Sequence, residues 1–97
     1  MTNIDFIIGA VESASGVDPG SITGPRRTRS VAYARFAAVW LIRKRYPSWS
    51  LKQLSGAVGR ADHATAINAL RQASRLIQRD ESFLNMIRRA TAFPVNP

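Results

Sequence analysis

Residues 50–78 read SLKQLSGAVGRADHATAINALRQASRLIQ, and this stretch predicts two helices separated by a tight turn. Ser50 to Gln53 form a capping box, S-x-x-Q, of the kind that begins a helix. Gly59 stands where a helix-terminating glycine belongs, and a second helix is predicted over about 62–78. A short helix, a glycine turn and a longer helix make a helix-turn-helix pattern. In that motif the N-terminal end of the second helix enters the major groove of DNA.

The second motif helix is amphipathic, with one apolar and one polar face. The residues predicted to face the core are Ala66, Ile67, Leu70, Ala73 and Ile77. The residues on the opposite face are Asn68, Arg71, Gln72, Arg75 and Arg79. The polar face is therefore expected to carry most of the charge of this helix.

Three further helices are predicted, two before the motif and one after it. The first is predicted over about 3–15, because its isoleucines and valine recur at helical spacing, with Thr2 as its cap and Asp5 three residues on. The second, over about 30–45, is apolar nearly all round and is expected to be the central helix, with Ser30 as its cap. The last is predicted over about 81–92, with Asp80 as its cap.

These elements predict an all-α fold, a small helical bundle. No segment alternates with period two, so no strand is expected. A chain of 97 residues has room for a single core, so 1–97 is read as one domain. The tail at 93–97 is expected to be frayed.

The positive charge is concentrated in the middle of the chain. The formal net charge is +8, from 14 Lys and Arg against 6 Asp and Glu. Residues 1–25 hold three acids and no base, residues 26–79 hold twelve bases and one acid, and residues 80–97 hold two of each. A block this one-sided repels itself unless an anionic partner lies against it. The alternative is a charged surface that only keeps the protein soluble.

Composition disfavours most enzyme and metal sites. The absence of cysteine removes disulfides and thiolate sites, and a single histidine, His63, argues against a multi-histidine metal site. There is no G-x-x-x-x-G-K-[ST] phosphate loop, no membrane-length apolar run and no basic start typical of a secretory signal. We therefore expect no catalytic residues, cofactor, metal, membrane or small-molecule substrate, and a cytoplasmic location.

A resemblance to a known family lies in residues 59–69, which read GRADHATAINA. They resemble the signature G-G-R-D-H-T-T-V-L-H-A of the C-terminal DNA-binding domain, domain IV, of the bacterial replication initiator DnaA. Residues 27–32, RTRSVA, are similar to the family's R-S-R-S-V-A, and residues 50–54, SLKQL, resemble its S-L-P-E-I. The resemblance covers about residues 4–92. It implies a Trp-repressor-like helical bundle that binds duplex sites called DnaA boxes and acts at the nucleoid.

The resemblance also implies roles for residues outside the signature. Arg27 matches an arginine that enters the minor groove, and its extended segment suits a narrow, negative groove. Arg43 matches a basic position facing the major groove. Leu51 and Lys52 match positions at the start of the first motif helix that approach DNA. Arg26, Arg27 and Arg29 could instead be a generic phosphate-binding arm.

Within the signature, Asp62, His63 and Thr65 match positions that read bases and backbone. Asp62 can accept from cytosine N4, and Thr65 can offer its methyl to thymine or its hydroxyl to phosphate. The structural alternatives are an N-cap role for Asp62, a polar helix-start role for His63 and a local hydrogen bond for Thr65. The full set of candidate DNA-binding residues is Arg27, Arg29, Arg43, Leu51, Lys52, Arg60, Asp62, His63, Ala64, Thr65 and Asn68.

The chain departs from the family pattern at recognition positions. Ala61 replaces the family arginine, with Arg60 one place early, and Ala64 replaces a threonine. Asn68 replaces a histidine and Lys52 a proline. We therefore expect a preferred site that differs from a DnaA box, or weaker specificity.

The predicted function is sequence-specific binding of double-stranded DNA that regulates replication initiation or transcription. No ATPase activity is expected, because the initiator's ATPase and N-terminal domains have no counterpart in this chain. The alternative is a protein-interaction module of the replication or transcription machinery that keeps the fold with weakened DNA recognition. An apolar patch on the first or last helix would favour that alternative. A nuclease is disfavoured, because Asp62 with His63 is too little for a metal site.

Overall fold

The computed structural model describes residues 2–92, which form five helices. They are α1 (Asn3–Ser15), α2 (Arg29–Arg45), α3 (Leu51–Ala57), α4 (Ala64–Arg79) and α5 (Glu81–Thr91). Residues 2–92 contain no strand, and the predicted all-α class is confirmed. The tail predicted at 93–97 lies outside the described residues. No helix in residues 2–92 combines the length and apolar character needed to cross a membrane.

The central helix is α2, as its all-round apolar pattern predicts. It packs against α1, α3 and α4, while α5 packs against α1 and α4. Ala34, Ala37 and Ala38 are fully buried, and such small side chains let neighbouring helices approach closely. The core therefore lies around α2, and α3 and α4 are supported by it from one side.

Three predicted helix caps are confirmed. Thr2 caps α1 in a capping box with Asp5, and the hydrogen bonds from Thr2 lower the pKa of the Asp5 carboxyl. Ser50 and Gln53 form the reciprocal capping box that begins α3. The Asp80 side chain accepts a hydrogen bond from the first turn of α5. These caps satisfy backbone donors that the helices leave free, so they fix where three helices begin.

The predicted cap of α2 is wrong, because the capping hydroxyl belongs to Thr28, two residues before Ser30. The helix begins at Arg29, and Thr28 accepts a 3.4 Å hydrogen bond from the backbone N–H of Val31. Thr28 is extended, with φ −65° and ψ 156°, whereas Ser30 is already inside the helix. Two hydroxyl residues precede the apolar run, and the sequence pattern does not distinguish which of them adopts the extended backbone of an N-cap.

The predicted inward face of α4 is wrong at Ile67. The fully or nearly fully buried residues of this helix are Ala66, Ala69, Ala73 and Leu76. Ile67 is 36% exposed, and it is the large apolar side chain that residues 2–92 leave open to solvent. Adjacent helical residues point about 100° apart, so Ala66 and Ile67 do not both face the core.

The connector between α1 and α2 is held against the bundle by a buried carboxylate. Glu12 is 7% exposed and accepts hydrogen bonds from the backbone N–H groups of Gly20, at 2.8 Å, and Ile22, at 3.3 Å. The Ile22 side chain is fully buried, and Val17 packs against the core. The connector therefore follows a defined path up to the arginines that precede α2.

Candidate nucleic-acid interface

The turn between α3 and α4 is fixed by close backbone contacts. Gly59 has φ +77°, and a Cβ at this position would lie 2.7 Å from the carbonyl oxygen of Thr23. The fully buried Ser55 hydroxyl accepts a 3.0 Å hydrogen bond from the N–H of Ala66, and the Ser55 carbonyl accepts one from Arg60 at 2.9 Å. These contacts join the end of α3 to the start of α4, as a helix-turn-helix requires.

Residues 62–68 comprise Asp62 and His63 just before α4 and the start of the helix itself, and they are called the first turn of α4 here; most of them are exposed. Asp62, His63, Ala64 and Asn68 are exposed, and Thr65 is half-buried. Asp62 Oδ1 accepts a 2.9 Å hydrogen bond from the N–H of Ala64, so α4 begins at Ala64 rather than near Asp62. His63 Nδ1 lies 3.9 Å from the same carboxylate oxygen, too far for a hydrogen bond. The N-cap of α4 is His63, which makes no side-chain cap hydrogen bond, so the alternative of an N-cap role for Asp62 is wrong. Asp62 lies one residue earlier and keeps an exposed carboxylate that can still accept from a partner.

A cleft of about 320 Å³ lies beside this turn and brings together four of the predicted site residues. Arg27 comes from the segment before α2, Arg60 from the turn, and Thr65 and Asn68 from α4. The lining residues are Arg27, Ala32, Arg35, Phe36, Arg60, Thr65, Asn68 and Ala69. Its lining includes three arginines and no carboxylate, so the cleft favours an anionic group.

Arg35 is a buried structural residue, although the charge pattern counts it among the bases open to a partner. It is 8% exposed and donates hydrogen bonds of 2.9 to 3.4 Å to four backbone carbonyls of the connector. The acceptors are the carbonyls of Ser21, Ile22, Gly24 and Arg26. Burial, and then the nearby Arg60 charge, lower the pKa of the Arg35 guanidinium. Arg35 thus fixes the path of the chain that leads to Arg27.

The segment around Arg27 is called the arm here and consists of residues 25–28. Arg60 donates a 3.0 Å hydrogen bond to the Gly24 carbonyl just before the arm, which joins the arm to the helix-turn-helix turn. Arg26 forms an exposed ion pair with Asp18 at 3.2 Å. Arg27 remains exposed at the cleft. The arm therefore presents Arg27 beside the first turn of α4.

Comparison with known protein families identifies the family of this chain. Residues 4–73 match the family of the bacterial DnaA protein helix-turn-helix. The chain belongs to this family. The match contains all eleven candidate DNA-binding residues, from Arg27 to Asn68, and ends within α4.

Three curated proteins similar to this DnaA-family chain are chromosomal replication initiator proteins DnaA. The protein from Thermodesulfovibrio yellowstonii is 34% identical over 84 residues, which cover 87% of this chain and 19% of the relative. The protein from Lachnoclostridium phytofermentans is 32% identical over 84 residues, 87% of this chain and 18% of the relative. The protein from Aliarcobacter butzleri is 30% identical over 77 residues, which cover 79% of this chain and 17% of the relative. The chain therefore spans about a fifth of the length of these relatives.

Three candidate residues of this DnaA-type domain lie away from both the cleft and the start of α4, close to the start of α3. Arg43 is half-buried, and its guanidinium lies 3.5 Å from the Trp49 carbonyl oxygen, in the loop before α3. Leu51 is half-buried and packs against the core, and Lys52 is exposed in the first turn of α3. These residues are grouped near the start of α3, whereas the arm and α4 form the cleft. Arg29, the remaining candidate, is exposed at the start of α2.

The sequence reasoning misplaced two residues near this surface. Ile67 was predicted to face the core, but it is exposed on α4, next to Asn68 in the chain. Arg35 positions the arm rather than facing the partner. The signal for Arg35 was its place in α2, directly after Ala34 and one turn after Val31, on the buried face.

Within residues 2–92, no three His, Asp or Glu side chains lie close enough together to hold a metal ion.

Proposed function

We propose that this DnaA helix-turn-helix domain binds double-stranded DNA in a sequence-specific way. The first turn of α4 enters the major groove, and Arg27 on the arm enters the adjacent minor groove. The observation that carries the proposal is the cleft in which Arg27, Arg60, Thr65 and Asn68 meet beside the exposed α4 turn without a carboxylate in its lining. A surface with this charge and this exposed helix end suits a polyanion that also presents base edges.

Each candidate residue of the first turn has a distinct chemical role in the proposal. Asp62 accepts from cytosine N4, and Asn68 pairs with the N6 and N7 atoms of adenine. His63 donates to a base acceptor or a phosphate, and the Thr65 hydroxyl binds a phosphate or its methyl contacts thymine. Ala64 is small enough to let the helix approach the base edges closely.

The other candidate residues contact the backbone in this proposal. Four cations bind phosphates beside α3 and α4 in the proposal: Arg29, Arg43, Lys52 and Arg60. Phosphate contacts of this kind fix the register of a protein on DNA. Leu51 orients the start of α3 through its packing. These contacts supply affinity that depends strongly on salt.

The biological role in the proposal is regulation of replication initiation or transcription, at the nucleoid in the cytoplasm. The support is that the curated relatives are named chromosomal replication initiator proteins. The proposal includes no ATPase activity for these residues, since their sequence contains no G-x-x-x-x-G-K-[ST] phosphate loop.

Selection of binding sites from random duplex DNA tests this proposal. The expected result is enrichment of one motif related to a DnaA box, with a changed base where the signature differs. Asn68→His restores the family residue and is expected to shift the preference at one position, whereas Arg88→Ala on α5 is a control that leaves the motif unchanged. If the wild-type chain enriches no motif, sequence-specific binding is refuted.

A second candidate function is a protein-interaction module, and a second cleft favours it. This cleft, of about 300 Å³, lies between α1, α2 and α5. Ile7, Ala10, Leu41 and Ala90 form its apolar walls, and Lys44 and Arg45 line it as well. The partner would be a replication or transcription protein that inserts an apolar side chain from an acidic segment. A pull-down that survives nuclease treatment and is lost on Leu41→Asp would support this function.

A further inference from the structure

The exposed face of α4 carries a row of side chains that extends well beyond its first turn. An α-helix turns by about 100° per residue, so Ala64, Asn68, Arg71, Arg75 and Arg79 fall within a stripe about 80° wide. All five are exposed, and the stripe lies opposite the buried face of the helix. The first turn of α4 and the three arginines therefore share one surface of the molecule. We call Arg71, Arg75 and Arg79 the arginine ridge.

The charge of the ridge has no anionic partner in the described part of the chain. The ion pair between an arginine and a carboxylate within residues 2–92 joins Arg26 to Asp18, and it does not involve the ridge. The Arg75 guanidinium donates to Gln72 Oε1, at 2.8 and 3.2 Å, which orients it without neutralising it. Arg79 in the last turn complements the helix dipole, but Arg71 and Arg75 lie further from that terminus. The dipole therefore does not account for the whole ridge.

The length of α4 places the ridge outside a groove that its first turn occupies. From Ala64 to Arg79 the helix rises about 22 Å, at about 1.5 Å per residue, whereas the major groove is about 12 Å wide. When a recognition helix enters by its N-terminal end, its later turns pass the rim of the groove. The rim consists of the sugar-phosphate backbone, which arginine binds well.

We propose that the arginine ridge is a second DNA contact, which binds backbone phosphates outside the bases read by the first turn of α4. The inference rests on the proposed DNA binding and adds a surface to it. Arg75 and Arg79 lie beyond residue 73, where the match to the DnaA helix-turn-helix family ends. The ridge supplies affinity and lengthens the footprint on one flank, and it leaves the choice of bases to the first turn.

The test compares two double variants that remove equal charge. Arg75→Gln with Arg79→Gln removes two cations from the ridge. Arg88→Gln with Arg89→Gln removes two exposed cations from the last turn of α5, at the end where Arg89 donates to the Ala14 carbonyl of α1. Binding of each variant to a selected duplex and to a random duplex is measured over a salt series. Thermal unfolding confirms that both variants are folded at the assay temperature.

The expected result is specific to the ridge variant. The slope of log K against log salt becomes shallower by about 1 for each phosphate that the variant no longer binds, and affinity falls about 3- to 10-fold per phosphate near 0.1 M salt. The decrease is similar on selected and random duplexes, and the preferred motif is unchanged. Trimming one flank of the duplex weakens the wild type and the α5 variant, but not the ridge variant.

The outcomes separate this proposal from the function on which it rests. Equal slopes for the two double variants, or a changed base preference in the ridge variant, would overturn the ridge as a phosphate contact while DNA binding stands. A wild-type chain that binds no duplex would overturn both proposals.

Discussion

Gly59 packs its backbone against the carbonyl oxygen of Thr23, so that a Cβ on Gly59 would lie 2.7 Å from that oxygen. This contact joins the connector before α2 to the turn of the helix-turn-helix. It determines how the arm sits beside the reading helix, because both segments are anchored within a few residues of it. Glycine is required here for two reasons, the left-handed φ of +77° and the space.

Gly59→Ala is therefore expected to lower the free energy of unfolding by about 2 kcal/mol or more, from backbone strain and a displaced carbonyl. The matched control is Gly56→Ala in α3, where a Cβ meets no atom within 4 Å and the backbone φ is not left-handed. The control is expected to be neutral or stabilising by up to about 1 kcal/mol. Urea unfolding of both variants checks the pair, and equal effects would contradict the close contact.

Arg35→Met is expected to destabilise the protein by about 2 kcal/mol, because several buried carbonyls of the connector lose their donor. Arg29→Met, on an exposed arginine at the start of the same helix, is expected to change stability by less than about 0.5 kcal/mol. Thermal and urea unfolding measure both. If Arg35→Met is as mild as Arg29→Met, the guanidinium does not hold the connector.

Thr28→Ala is expected to cost about 0.5 to 1 kcal/mol of stability, because it removes the side-chain acceptor that caps α2. Ser30→Ala removes the same hydroxyl from a helical position and is expected to be neutral or slightly stabilising. The comparison is a direct check on where α2 begins. A larger loss in Ser30→Ala would restore the sequence-based boundary.

The Ile67 side chain offers a fourth prediction. Ile67→Ala is expected to change the free energy of unfolding by less than about 1 kcal/mol, since the residue is 36% exposed and alanine favours a helix. Leu76→Ala on the buried face of the same helix is expected to cost about 2 to 5 kcal/mol. If the two losses are similar, Ile67 belongs to the core. A lower DNA affinity of Ile67→Ala at unchanged stability would place it in the interface.

The helix order and most of the caps could be predicted because they depend on local chemistry. The capping box of Ser50 and Gln53 and the cap of Asp80 are set by residues three positions apart or fewer. The position of Ile67 could not be predicted, because Ala66 and Ile67 are adjacent and tertiary packing chooses between them. The choice of Thr28 over Ser30 likewise depends on the backbone path of the connector.

The net charge of the basic segment could be predicted from the sequence, but the contacts of its individual charged residues could not. The excess of bases over 26–79 indicates an anionic partner. It does not show that Arg35 is buried on carbonyls, that Arg26 pairs with Asp18, or that Arg60 holds Gly24. These three contacts join positions 8 to 36 residues apart in the chain, which no local pattern encodes. Through these contacts, three of the basic residues stabilise the arm and the connector before it.

The central claim is that Arg27 and the first turn of α4 bind duplex DNA together, and fluorescence anisotropy over a salt series tests it most directly. For the wild type, log K is expected to fall against log salt with a slope near −5 if about six phosphates are neutralised. Arg27→Ala and His63→Ala are each expected to weaken binding by about 1 to 3 kcal/mol with little change in melting temperature. No binding at low salt, or affinity losses matched by equal losses of stability, would contradict the account.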